Sequence, residues 1–184
     1  MEMVPLTVID KADTAWVMTS AALVLLMTLP GIALFYAGLV RRKNVVNTMA
    51  AVFAVACIVT LTWFGIGYSL AFTADSPWLG NLSRAWFASL HFDGKRNLLA
   101  VSHLAPHLPE AAYALFQAAF AIITTSLIVG AVVERMRFAA LLVFAALWSV
   151  LVYAPVAHWV WEGSGWLNQL GALDFAGGAV VHVN

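Results

Sequence analysis

The residues able to do chemistry in this chain are few, and they cluster late in the sequence. Asp174 lies in GALDFAGGAVVHVN (171–184). A carboxylate at a helix start can cap the first amides, where the dipole favours negative charge, or it can attract a cation. His182 follows eight residues on, about 12 Å deeper if the stretch is helical. An imidazole accepts and donates protons near neutral pH. Gly177 and Gly178 lie between the two and permit close approach of another backbone or a ligand, or simply tight packing. A second group is aromatic: Phe116, Phe120, Trp159 and Trp161. Ring faces attract cations by up to about 2 kcal/mol when desolvated. The alternative for these rings is an interfacial belt with core aromatics behind it. Gln117 sits among them, and an amide in apolar surroundings needs a polar partner.

The elements that must hold these residues are written in charge. Residues 14–40, 45–72, 111–133 and 138–161 contain no Asp, Glu, Lys or Arg. A helix needs roughly 20 apolar residues to cross about 30 Å of hydrocarbon. The runs predict four membrane-spanning helices, with an extracytoplasmic tail over 1–13 and the start of a fifth helix over 174–184. Hydrophobic residues make up 63% of the chain and charged residues 10%, against about 25% charged in soluble domains. His182 would then lie near the bilayer centre, where an ionisable group is by default functional. Residues 1–13 lack the basic start and short apolar stretch of a signal peptide.

Arg41, Arg42 and Lys43 crowd one short link, and Arg135 and Arg137 another. Short basic links face the cytoplasm. The N-terminus and the segments 73–110 and 162–173 are therefore expected outside, with Trp16, Trp78, Trp86, Trp159, Trp161 and Trp166 near the outer boundary. His91, His103, His107 and His158 read as solvated or at the boundary. The stretch 78–92 reads as a short amphipathic surface helix. Pro30-Gly31 should bend the first span. Ala114, Ala118, Ala121 and Thr125 form a small-residue stripe suited to close helix contact, opposite Phe116, Phe120, Ile123 and Leu127. The lone Cys57 reads as a small core residue.

Zero net charge gives no case for nucleic acid. No nucleophile–base pair, metal cluster or phosphate loop is visible, so neither an enzyme nor a metal site is expected. A bis-histidine haem subunit needs two rings at similar depth. His158 and His182 fall on adjacent helices at unlike depths, so no cofactor is expected. The remaining reading is a pore: aromatic faces that select a cation outside, then an apolar path with one deep imidazole for a small molecule that sheds a proton.

Four segments carry a resemblance: ADTAWVMTSAALVLLMTLPGIALFYAGLVRRKNVVN (12–47), FQAAFAIITTSLIVGAVVERMRF (116–138), PVAHWVW (155–161) and GALDFAGGAVVHVN (171–184). Together they resemble the ammonium transporter family (Amt/Mep/Rh). The resemblance implies an all-α membrane protein of eleven helices in two pseudo-symmetric halves. This chain would be the N-terminal part, four complete transmembrane helices plus the start of a fifth, and a fragment not conducting alone. It implies transport of ammonium or ammonia in nitrogen uptake. Phe120 and Trp161 would be the walls of the outer cation site, and Phe116 would join Phe120 at the gate. Gln117, Asp174 and Gly177 would support the site, and His182 would be the first of two pore histidines. It further implies a homotrimer when full length, a plasma (inner) membrane location, and a PII-type regulator at the cytoplasmic face. A sensor or non-conducting assembly subunit of the same fold is the alternative.

Overall fold

The computed structural model describes residues 2–88 and 90–184. Four long apolar helices dominate it: α1 (Lys11–Leu39), α2 (Arg42–Phe72), α3 (Glu110–Val132) and α4 (138–161). Each is long and apolar enough to cross a membrane. α1 starts three residues before its charge-free run because Asp10 caps it. The Asp10 carboxylate accepts from Ala12 N at 2.8 Å and Asp13 N at 2.9 Å.

Three of the four helices widen locally to π-type bonding. In α1 the widened stretch is Met27–Ile32, around Pro30. Pro30 has no N–H to donate, and the wider turn accommodates its ring. In α4 it is Ser149–Tyr153, just ahead of Pro155. In α2 it is Trp63–Gly67, where two glycines give little side-chain resistance.

α3 lies at the centre, packed against both α1 and α2. Its stripe of Ala114, Ala118, Ala121 and Thr125 is buried along its length, so neighbouring backbones come close. Trp63 of α2 donates its indole N–H to Ala114 O at 3.2 Å. Its ring meets Tyr68, Phe72 and Tyr153 edge-on at 5.9, 6.1 and 6.0 Å. Tyr36 of α1 crosses α3 at Gly130 and donates to Leu127 O at 2.8 Å. A Cβ at Gly130 would stand 2.5 Å from the Tyr36 ring, so this crossing requires glycine. Cys57 is exposed, not in the core. The buried face of α2 runs Val52, Val55, Ala56 and Val59, and position 57 falls off that stripe.

The long connection between α2 and α3 folds into more than turns. Strands β1 (Glu2–Pro5), β2 (Phe92–Asp93), β3 (Leu98–Ser102) and β4 (Ala105–Pro109) form one antiparallel sheet with β3 central. β1 pairs β3 from Glu2↔Val101 to Pro5↔Leu98. The N-terminal segment and the long connection therefore sit on the same side of the bundle. The amphipathic helix expected over 78–92 is absent; Ser89 in that stretch lies outside the described residues. In its place is one tight turn, Ala85–Phe87, with Trp86 and Phe87 at positive φ of 55° and 53°. A helix would carry Arg84 on its surface. Arg84 is instead buried, donating to Phe72 O at 2.8 Å and pairing with Glu110 at 2.7 Å. Tyr68 OH adds a bond to the same carboxylate at 2.9 Å.

The fifth helix does not begin at Asp174. Residues 174–177 are irregular, Gly177 takes φ +79°, and a single π-type turn runs Gly178–Val183. A left-handed residue stops helix propagation at this point, and glycine adopts it without steric penalty.

Candidate functional site

A cavity of about 580 Å³ opens where α3, α4, the β3–β4 turn and the 174–177 segment meet. Phe116, Gln117 and Phe120 line it from α3, Trp161 from the end of α4, and Asp174, Phe175 and Gly177 from below; Leu104 and Tyr113 complete it. Phe116 and Phe120 share one face of α3 because they are four residues apart. Their rings meet edge-on at 5.0 Å, and Phe120 meets Trp161 at 5.8 Å with planes 72° apart. The three rings form a continuous aromatic wall.

Asp174 ties the wall to the turn beneath it. Its backbone carbonyl accepts from Trp161 Nε1 at 3.1 Å. Its carboxylate accepts from Ala179 N at 3.2 Å and Val180 N at 2.9 Å, which are orphan donors at a helix start. Gly177 O accepts from Val181 N at 2.8 Å and His182 N at 3.1 Å, so that carbonyl is engaged within the turn. A Cβ on Gly177 would meet Val181 Cγ2 at 2.5 Å. Gln117 is buried, with its Nε2 at 3.4 Å from Tyr113 OH and its Oε1 unpartnered.

His182 stands apart from this cavity. It lies near the end of the Gly178–Val183 turn, exposed, and among the described residues its ring makes no hydrogen bond. The structure thus brings together Phe116, Gln117, Phe120, Trp161, Asp174 and Gly177, and leaves His182 on an open face.

Two polar groups near the site are buried, and one of them, His158, departs from the sequence reading. His158 is fully buried, not solvated: its Nδ1 lies 3.0 Å from Ala71 O and its Nε2 2.7 Å from Ser76 O. It stitches α4 to the end of α2. Glu162, which follows Trp161, is also fully buried and bonds His103 at 2.6 Å. Neither partner is near in sequence, so spacing gave no sign of either. Trp159 donates to Trp78 O at 2.6 Å and meets Trp166 edge-on, itself against Trp78. These three rings brace the connection.

The chain matches the Ammonium Transporter Family over residues 15–184. It belongs to the ammonium transporter family. It is 47% identical over 175 residues to a putative ammonium transporter of Methanothermobacter thermautotrophicus, covering 95% of this chain and 41% of that one. It is 46% identical over 175 residues to an ammonium transporter of Bacillus subtilis, with the same 95% and 41% coverage. Among solved structures, Candida albicans Mep2 superposes with a TM-score of 0.85 at 38% identity, over 97% of this chain and 38% of that one. A sensor Amt protein superposes at 0.76 with 25% identity, over 92% and 40%. The family member in hand thus spans about two fifths of the length of the relatives it matches. It is a mostly helical, multi-pass membrane segment corresponding to the N-terminal part of the family fold.

Proposed function

We propose that this segment builds the entry and the first part of an ammonium-conducting pore. The reading rests on one observation: Phe116, Phe120 and Trp161 line a single cavity whose floor is closed by Asp174. Ammonium carries one positive charge and four N–H donors. The faces of Phe120 and Trp161 attract the charge. Asp174 holds Trp161 through its backbone carbonyl and the following turn through Oδ2, which accepts from two amides. Phe116 and Phe120 close the way inward for anything hydrated. His182 comes next along the chain and handles the proton that an apolar path rejects.

Residues 1–184 supply one wall of that path, so this segment alone is not expected to conduct. The complete protein is proposed to sit in the plasma membrane with its N-terminus outside, to assemble as a homotrimer, and to meet a PII-type regulator through the basic links at 41–44 and 134–137. Uptake of labelled methylammonium tests the reading. Liposomes carrying residues 1–184 should show none, and cells carrying the full-length protein should show uptake that His182→Ala impairs. Flux through the segment alone, or wild-type uptake in the histidine variant, would overturn the corresponding part.

The sensor reading is the second one. Its support is the likeness to the sensor Amt protein, at lower identity and TM-score than Mep2. Ammonium binding by the full-length protein without any uptake would favour it.

A further inference from the structure

Glu162 is an awkward residue for its position. It caps the C-terminus of α4 with its carboxylate fully buried. Burial of a carboxylate costs several kcal/mol, and the carbonyl end of a helix repels negative charge. The compensation comes from 59 residues earlier: His103 Nε2–H donates to Glu162 Oε1 at 2.6 Å. The second oxygen, Oε2, is buried without a partner, so the carboxylate depends on that one donor. His103 stands in the turn between β3 and β4, and its neighbour Leu104 lines the aromatic cavity. Glu162 follows Trp161, which lines the same cavity. One hydrogen bond therefore couples two walls of the opening that come from distant parts of the chain.

The other charged or titratable groups nearby are occupied. His158, one turn back on α4, is bonded to Ala71 and Ser76 carbonyls. Arg84 and Glu110 bind each other. Asp174 caps the turn below, and Tyr113 OH of α3 accepts from Gln117 Nε2. Among the described residues, His103 is the one side chain bonded to the Glu162 carboxylate.

We propose that the His103–Glu162 pair is a latch that sets which ammonium ions are admitted. It holds the β3–β4 turn against the end of α4, and so fixes the spacing of Leu104 and Trp161. A closed latch excludes alkylated ammonium ions that are wider than the parent ion. The proposal rests on the ammonium reading above and names two positioning residues for it; neither touches the ion. Charge on Glu162 strengthens the bond, because hydrogen bonds to an ionised acceptor are roughly twice as strong as neutral ones.

The test is made in the full-length protein, with ammonium, methylammonium and ethylammonium as competing substrates. His103→Ala should raise ethylammonium uptake relative to ammonium at least threefold, and Leu104→Ala should do the same. Glu162→Gln, which keeps an acceptor but not the charge, should fall between. His103→Ala combined with Glu162→Gln should be no more permissive than His103→Ala alone, since both act through one contact. His103→Gln keeps a side-chain N–H and should restore most of the selectivity. Amide exchange across 102–105 is read in parallel and should speed up in His103→Ala whether or not the protein transports. Unchanged selectivity in His103→Ala, or unchanged exchange across the turn, overturns the latch. A parent protein that carries no ammonium at all overturns the function proposed above and leaves the exchange result to decide the latch.

Discussion

Replacing Trp161 separates the two jobs its indole does. One face closes the aromatic wall with Phe120 at 5.8 Å. The N–H at the rim bonds Asp174 O at 3.1 Å. A partly desolvated cation on a tryptophan face gains up to about 2 kcal/mol. A neutral hydrogen bond contributes about 1 kcal/mol. Trp161→Phe keeps a ring and loses the N–H, so about 1 kcal/mol goes and the half-saturation concentration rises roughly fivefold. Trp161→Leu loses both, about 3 kcal/mol, for a rise of roughly 100-fold. Initial rates of labelled methylammonium uptake by the full-length protein, across a concentration range, read these values directly. Maximal rate should change less than half-saturation if the ring acts at entry. Equal half-saturation in the Leu and Phe variants would refute a cation held on the ring face. A Leu variant within twofold of the parent would remove Trp161 from the binding site.

Three further outcomes are expected. Arg84→Ala strands Glu110, whose carboxylate is completely buried; breaking such a pair costs about 3–5 kcal/mol, read as a lower melting temperature and faster proteolysis within 73–109. Gly130→Ala drives a methyl into the Tyr36 ring and should cost about 1–3 kcal/mol of stability, and Tyr36→Ala in the same background should recover part of it. Glu134, in the link before α4, accepts from Asn44 Nδ2 at 2.6 Å and from Arg41, and these bonds hold its carboxyl below the usual glutamate range. A depressed value in the fold means the stabilisation is complete above the unfolded value of about 4.3 and is lost as pH falls through the folded one. Melting followed from about pH 6 down to pH 3 should show a fall that Glu134→Gln makes smaller; an identical fall in the variant would exclude the link.

The helices were legible because they are local, and the membership of the candidate site came from the family resemblance. Absence of charge over 23 or more residues marks a span whatever surrounds it, and Phe116 with Phe120 share a face by spacing alone. The buried stripe of α3 was visible for the same reason. Arg84, Glu110, His158 and Glu162 were not. Each looks solvated when read within a window of neighbours, and each is buried by a partner far along the chain: Tyr68 and Glu110 are 42 residues apart, His158 and Ala71 87. The sheet was missed because its strands are two to five residues long and one of them, β1, belongs to the N-terminal segment ahead of α1. Trp86 and Phe87 defeated the amphipathic reading by taking positive φ, which bulky residues rarely adopt.

The widened turns in α1, α2 and α4 also alter what a helix can present along its length. One extra residue in a turn offsets everything beyond it by roughly 100° about the axis. The two halves of each rod are thus screwed out of phase, and a single rod can show one side to a cavity at one end and a different side to its neighbours at the other. Deleting one residue from Ser149–Tyr153 would bring the two halves back into phase and swing the downstream aromatic residues away from the opening they frame.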